Sequence, residues 1–214
     1  MTLAPKTTTV YMTRHGQTEW NVEHRLQGHR DSPLTALGIR QAEWLEEALR
    51  GVKLDLIATS SSPRAVHTAH LIKGNRDVPL IESEQLKEIS LGIWEGRKQD
   101  EIKQENPQQF HHFWNDPGQF RVEGSETYRE VSSRAVSFLH ELLQRYEGQT
   151  ILLVTHTVVF KLLMAYCEQR PLEQLWELPY IYPACLSKLE FEDGAPRIVM
   201  HADTSHYKEQ PAES

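Results

Sequence analysis

The chain has 214 residues, near the upper end of what one domain holds, and 39% of them are hydrophobic, so one domain spanning 1–214 with a sizeable core is expected. A formal charge of -7 argues against a general nucleic-acid surface or an anionic-membrane surface, since both need a basic face. No apolar run approaches the ~20 residues of a membrane span, the start MTLAPKTTT lacks the form of a secretory signal, and Cys167 and Cys185 stand in no redox or metal motif; a reducing, cytoplasmic setting is expected.

Thr8 to Thr13 is β-rich and uncharged and runs straight into Arg14-His15-Gly16, as a buried strand does where it ends in a functional loop. A helix follows from Thr35 to Leu49. Asp55 to Thr59 repeats the strand pattern and leads through Ser60-Ser-Ser-Pro-Arg64 into a helical Ala65 to Lys73. The least regular stretch is Asn106 to Glu126, where Pro107, Pro117 and Gly118 interrupt a run holding Phe110, His111, His112, Phe113, Trp114 and Phe120. It reads as a helical excursion carrying part of a substrate pocket, although such aromatics are more often core than pocket.

Thr127-x-x-Glu130 has the form of a capping box and opens a helix that runs to Tyr146. Thr150 to Thr155 is a third strand, leading into His156 and a helical Val158 to Glu168. Leu186 to Phe191, Asp193-Gly194 and Arg197 to His201 read as a hairpin at a sheet edge, and the polar tail from Lys208 is expected to fray. Three strand-loop-helix units predict an α/β fold with a largely parallel sheet. Ligands collect beyond the carboxyl ends of such strands, which is where Arg14, His15, Arg64 and His156 all fall.

That convergence suits an anion. A phosphate monoester is close to a dianion at neutral pH, so a site for it needs about two positive charges and several donors for its equatorial oxygens. Arg14 and Arg64 meet the need, because a guanidinium pairs two phosphate oxygens at once and stays charged. His15 is the candidate nucleophile, since neighbouring guanidinium groups lower its pKa and keep a ring nitrogen unprotonated. His156 is the candidate donor to the charge that builds on the transferring group.

The leaving oxygen needs a proton from an acid of raised pKa. Glu88, in the apolar-flanked loop Leu86 to Gly96, suits the role and can later activate water, but spacing alone does not separate it from Glu82, Glu84 or Glu95. His67 with His70, and His111 with His112, lack a third ligand at motif spacing and read as solvated faces; this chemistry needs no metal or cofactor.

These residues resemble the histidine phosphatase superfamily, also called phosphoglycerate mutase-like. Thr13-Arg-His-Gly-Gln-Thr-Glu-Trp-Asn21 is similar to its signature loop, which implies His15 as nucleophile with Arg14 and Asn21 in the phosphate pocket. Ser60 to Ala65 with Thr68-Ala69 resembles the element bearing the second arginine, Lys87 to Gly96 the segment with the proton donor at Glu88, and Val154-Thr-His156 the strand end with the second histidine. Gln27-Gly28, Asp31 to Thr35, Gly38, Gln41-Ala42 and Asp203-Thr-Ser-His206 also follow the family, and the resemblance assigns Gln27 to the substrate. Gln17, Gln27 and Asn21 also suit ordinary turn or helix-start positions.

The implied fold is a three-layer α/β/α sandwich with a mostly parallel central sheet. The Glu88 segment and the compact middle region look more like the broad-specificity phosphatases than the mutases, which carry a longer basic insertion. The expected function is hydrolysis of small phosphorylated metabolites through a covalent phosphohistidine, with no nucleic-acid or membrane partner and no oligomeric state specified. The alternatives are a cofactor-dependent phosphoglycerate mutase and a catalytically silent module that binds phospho-ligands. One departure stands out: many members place glycine after the second histidine, where this chain has Thr157, which would be strained there if the position needed a positive φ.

Overall fold

A computed structural model describes residues 6–209; residues 1–5, which begin the segment read for a secretory signal, and 210–214, the end of the tail expected to fray, lie outside the described residues. The elements run β1 (Thr8–Arg14), α1 (Glu19–Val22), α2 (Ala36–Ala48), β2 (Leu56–Ser60), α3 (Pro63–Lys73), β3 (Leu80–Ser83), α4 (Gln99–Glu105), α5 (Pro107–Asn115), α6 (Tyr128–Arg145), β4 (Thr150–Thr155), α7 (Thr157–Glu168), β5 (Leu186–Glu192) and β6 (Ala195–Asp203).

The six strands form one sheet in the order β3-β2-β4-β1-β5-β6. The first four are mutually parallel; β5 runs antiparallel to β1, and β6 closes that edge as the second arm of the expected hairpin. Side chains alternate across a strand, and in β4 Ile151 and Leu153 enter one core while Leu152 and Val154 enter the other. On the first face lie α6 and α7, with Val131, Ala135, Leu139 and Leu142 forming the inward stripe of α6; on the second lie α2 and α3, with Leu45, Leu49, Ala69 and Ile72. Burial on both faces explains why the parallel strands read as continuous apolar runs, and it makes the molecule a three-layer α/β/α sandwich.

Local chemistry sets the helix starts. Thr35 caps α2 by accepting from Gly38 N–H, and Thr127 and Glu130 complete the capping box that opens α6. The irregular 106–126 stretch contains α5, begun by Asn106 as N-cap and Pro107 in the first turn. The structure adds β3, a four-residue edge strand only partly buried, which lacks the apolar density of the others.

Candidate active site

β2, β4 and β1 lie side by side, and their register pairs Arg14 with Thr155 and Thr59 with Val154. The residues that follow these strand ends therefore arrive together, and the His15 and His156 rings stand 5.2 Å apart between centroids. Arg64, in the first turn of α3, reaches both: Nε donates to His15 Nε2 at 3.3 Å and an NH2 proton goes to His156 Nδ1 at 3.1 Å. His15, His156 and Arg64 are 3%, 0% and 2% exposed. A cavity of about 350 Å³ is lined by Arg14, His15, Arg64 and Glu88.

Partners decide the tautomers. His15 Nδ1 lies 2.8 Å from the Gly16 carbonyl, which only accepts, so Nδ1 carries the proton and Nε2 keeps its lone pair. Burial first, then the charges of Arg64 and Arg14, hold this imidazole well below its ordinary pKa. The neutral ring can act as a nucleophile through Nε2. For His156 the guanidinium only donates, so Nδ1 accepts and Nε2–H donates to Ser60 Oγ at 2.8 Å. Burial and then Arg64 lower its pKa too.

Arg64 has all five N–H groups engaged. Its other three go to the Arg30 carbonyl (2.8 Å), Asp31 Oδ1 (2.9 Å) and the Gly28 carbonyl (2.9 Å). These hold one side of the fork and leave Nε and one NH2 proton turned toward the two histidines. A phosphoryl group entering beside His15 can take both of those protons and release both ring nitrogens. Arg14 is tied by NH1 to the Ile181 carbonyl at 2.9 Å, while its buried Nε has no acceptor among the described residues. A buried donor left unsatisfied costs about 1–3 kcal/mol, and an anion in the cavity removes that cost.

Glu88 accepts from Ile89 N–H at 3.0 Å and from Val158 N–H, at the start of α7, at 3.2 Å. Burial raises its pKa against the opposing pull of those two bonds, Arg64 and Arg14. Of the four acids left open by spacing, only Glu88 lines the cavity: Glu84 pairs with Lys87, Glu95 accepts from His29 and Leu91 N–H, and Glu82 is exposed. The Glu88 segment is held by Arg134, which donates to the carbonyls of Gln85, Lys87 and Glu88 and pairs with Glu126 at 2.8 Å.

Gly16 is required for a different reason. A Cβ there would fall 2.3 Å from the Gly38 carbonyl oxygen, so the His15 loop packs on the start of α2 only if this residue is glycine.

Residues 10–204 match the model of the histidine phosphatase superfamily (branch 1). The chain belongs to this superfamily. It is 34% identical to the adenosylcobalamin/alpha-ribazole phosphatase of Escherichia coli, over 78% of this chain and 82% of that one. It is 33% identical to the probable phosphoglycerate mutase GpmB of Salmonella choleraesuis, over 73% of each. The solved structure of Bacillus stearothermophilus YhfR superposes with a TM-score of 0.91 at 43% identity, covering 93% of this chain and 98% of that one. Histidine phosphatases transfer phosphoryl groups through a covalent phosphohistidine.

The remaining candidates also line the cavity of this histidine phosphatase, with different commitments. Asn21 Oδ1 accepts from Thr18 N–H and Thr18 Oγ1, both at 3.0 Å, which makes it the third-position partner of Thr18 in the capping box that opens α1. Gln27 is held by Thr18 and Ser32, and Gln17 Oε1 accepts from Thr35 at 2.9 Å. Thr157 begins α7 and is absent from the positive-φ residues, so the strain considered for it does not arise. The aromatics divide: Phe113 and Trp114 line the cavity, whereas Phe120 is fully buried in the core and Phe110 packs against it. His67 and His70 are exposed on α3.

Four contributors carry no role that the sequence assigned. Asp31 and Ser60, inside segments that follow the family, and Arg134, inside none, act on Arg64, His156 and the Glu88 segment. The fourth is the 176–183 segment, whose Trp176 packs against Phe113 and Trp114 of α5 and lines the cavity together with Tyr180 and Tyr182. A signal was available in its density of aromatic residues and prolines directly after a strand-loop-helix unit.

Proposed function

We propose that this protein is a phosphoric monoester hydrolase of the histidine acid type, acting on small phosphorylated metabolites in the cytoplasm from one domain spanning 1–214. His15 Nε2 attacks phosphorus and forms an N–P bond as the ester P–O bond breaks; Glu88 gives its proton to the departing oxygen. Water then loses a proton to the Glu88 carboxylate and attacks phosphorus, breaking the N–P bond and releasing phosphate. Arg14 and Arg64 hold the transferring group throughout, His156 adds a donor to it once the bound dianion draws a proton onto Nδ1, and Asn21, Gln17, Gln27 and Thr157 shape the pocket around it.

The observation that carries this reading is the single guanidinium of Arg64 bridging both histidine rings beside a cavity that Glu88 also lines. A nucleophile, a cationic fork and an acid of raised pKa on one cavity are what hydrolysis through a covalent intermediate requires. The cytoplasmic setting accords with two free thiols, both pushed up to about 12 by burial and so unreactive.

Rapid quenching with a labelled monoester tests the reading. Label should appear as an acid-labile, alkali-stable adduct on His15, and His15→Ala should lose the adduct together with about 10⁴-fold or more of kcat. Tight phosphate binding with no adduct would instead indicate a silent binding module. The likeness to a probable phosphoglycerate mutase supports a second reading, in which the same phosphoenzyme returns its group to a sugar acid. Incubation with 3-phosphoglycerate, with and without a bisphosphate primer, separates the two: free phosphate supports hydrolysis, and an isomer supports the mutase.

A further inference from the structure

The cavity lining holds one more buried cation besides Arg14 and Arg64. Lys161 of α7 is 5% exposed and lines the cavity. Its Nζ donates to the carbonyls of Glu177 at 2.6 Å and Pro179 at 3.1 Å, and it stands 6.0 Å from the centre of the Trp176 ring. An ammonium has three N–H groups, and the third donates to nothing among the described residues. No carboxylate lies within 4 Å of Nζ among the described residues; Glu168, on the same helix, pairs with Arg170 instead.

Such an arrangement is costly without an anion. Burying an ammonium demands compensation by charge or by a full set of acceptors, and two neutral carbonyls supply only part of it. The cost is visible in its acidity, since burial brings this lysine down to about 8, where it is still cationic at neutral pH. Lys161 and Thr157 are four residues apart and both line the cavity, so they share the cavity-facing side of α7, with the Lys161 backbone about one turn, roughly 5 Å along the axis, beyond the helix start. The rings of Trp114, Trp176 and Tyr180 line the same cavity.

We propose that Lys161 anchors a second anionic group on the leaving-group side, so that the preferred substrates are phosphate monoesters whose short apolar or aromatic alcohol carries a carboxylate. The inference rests on the phosphatase reading and names the substrate class of that site.

A matched pair of substrates tests it: 4-carboxyphenyl phosphate, and its methyl ester with the same ring and a neutral substituent. The unaltered protein should favour the acid by about tenfold in kcat/KM at pH 7, equivalent to roughly 1.4 kcal/mol. Lys161→Gln, which keeps a donor for the loop carbonyls and removes the charge, should erase that preference, and Lys161→Arg should keep most of it. If Lys161→Gln does not fold, Lys161→Met provides the same uncharged comparison. Equal rates on the two esters in the unaltered protein overturn the proposal, as does an equal fractional loss on both in the uncharged variant, which would make Lys161 a tie for the 176–183 segment. Hydrolysis of neither ester would overturn the phosphatase reading itself, whereas hydrolysis of the methyl ester without preference for the acid sinks only the Lys161 inference.

Discussion

At the strand-end side of the cavity, Arg64 commits all five N–H groups, both histidine rings have their tautomers set by fixed partners, and Glu88 is held by two backbone N–H groups. Another part of the lining is the cluster of Phe113, Trp114 and Trp176, whose polar contacts are few: the Trp176 Nε1–H bond to the Phe113 carbonyl and the two carbonyl bonds of Lys161. The first region is pre-organised for one charge distribution, because buried hydrogen bonds tolerate little displacement. The second offers apolar surface with one cation, a combination that selects among alcohols without taking part in bond breaking. Under the proposed function the contrast separates a reaction centre from a recognition wall, and it predicts how variants at each should differ.

Arg64→Lys should break the reaction centre for every substrate alike. A lysine cannot bridge both rings or pair with Asp31 and two carbonyls at once, so kcat/KM should fall by on the order of 10²- to 10³-fold on aryl and alkyl phosphates equally. A loss confined to one leaving group, in steady-state assays on both, would dissolve the distinction between the two regions.

Glu88→Gln sharpens the comparison from within the reaction centre. Alkyl phosphates should lose about 10²-fold or more, p-nitrophenyl phosphate at least tenfold less, because a good leaving group needs little help from an acid. The acid must be protonated and His15 neutral in the first step. The pKa of Glu88 is raised and that of His15 lowered, so kcat/KM should fall as pH rises through the Glu88 value and as it drops through the His15 value. The alkaline limb should vanish in Glu88→Gln; a rate still rising beyond neutrality in the unaltered protein would contradict the assignment.

Stability should follow pH with opposite signs at these groups. His15 and His156, lowered in the folded protein, contribute stability that is present above their unfolded pKa of about 6.5 and lost as pH falls toward their folded values. Glu88, raised in the folded protein, contributes stability present below about 4.5 and lost as pH rises through its folded value. Two histidines oppose one carboxyl, so the urea midpoint should decline between pH 7 and pH 5.5, and His156→Asn should flatten that decline.

The recognition wall should respond more weakly. Trp114→Ala should reduce the ratio of aryl to small sugar-phosphate hydrolysis by about tenfold or less, the scale of ~1 kcal/mol that one aromatic contact supplies. Sugar phosphates should be nearly unaffected in the same assay. Thr157→Gly stands at the smallest end: with helical backbone at this position, glycine relieves no strain, and activity should stay within about threefold while the start of α7 loses less than ~1 kcal/mol.

Much of the reaction centre could be read from the chain alone because each part sits at a point where local pattern changes. Arg14 and His15 end one apolar run, His156 ends another, and Arg64 follows a third through a proline-started helix. Strand identity follows from hydrophobic density, and parallel strands place their carboxyl ends on one side, so proximity could be inferred without knowing the strand order. Glu88 could be nominated but not singled out, since four acids share its neighbourhood in sequence and only burial against the cavity distinguishes it.

Lys161 lay deep in an apolar helix and carried no motif, and Trp176, Tyr180 and Tyr182 lay in a stretch with no periodicity. What the amino-acid order by itself determined is the chemistry of phosphoryl transfer: the strand ends, the caps of α2 and α6, the charge and nucleophile types, and the family. The tertiary structure alone decided which acid faces the cavity, how Asp31 and Ser60 orient Arg64 and His156, and which aromatics form a wall rather than a core. The physical reason is range. Strands, caps and motif loops are set by residues within a few positions of one another, whereas a side chain's tautomer, burial and ion partner depend on groups tens of residues away, as Arg64 and His156 do across a separation of 92.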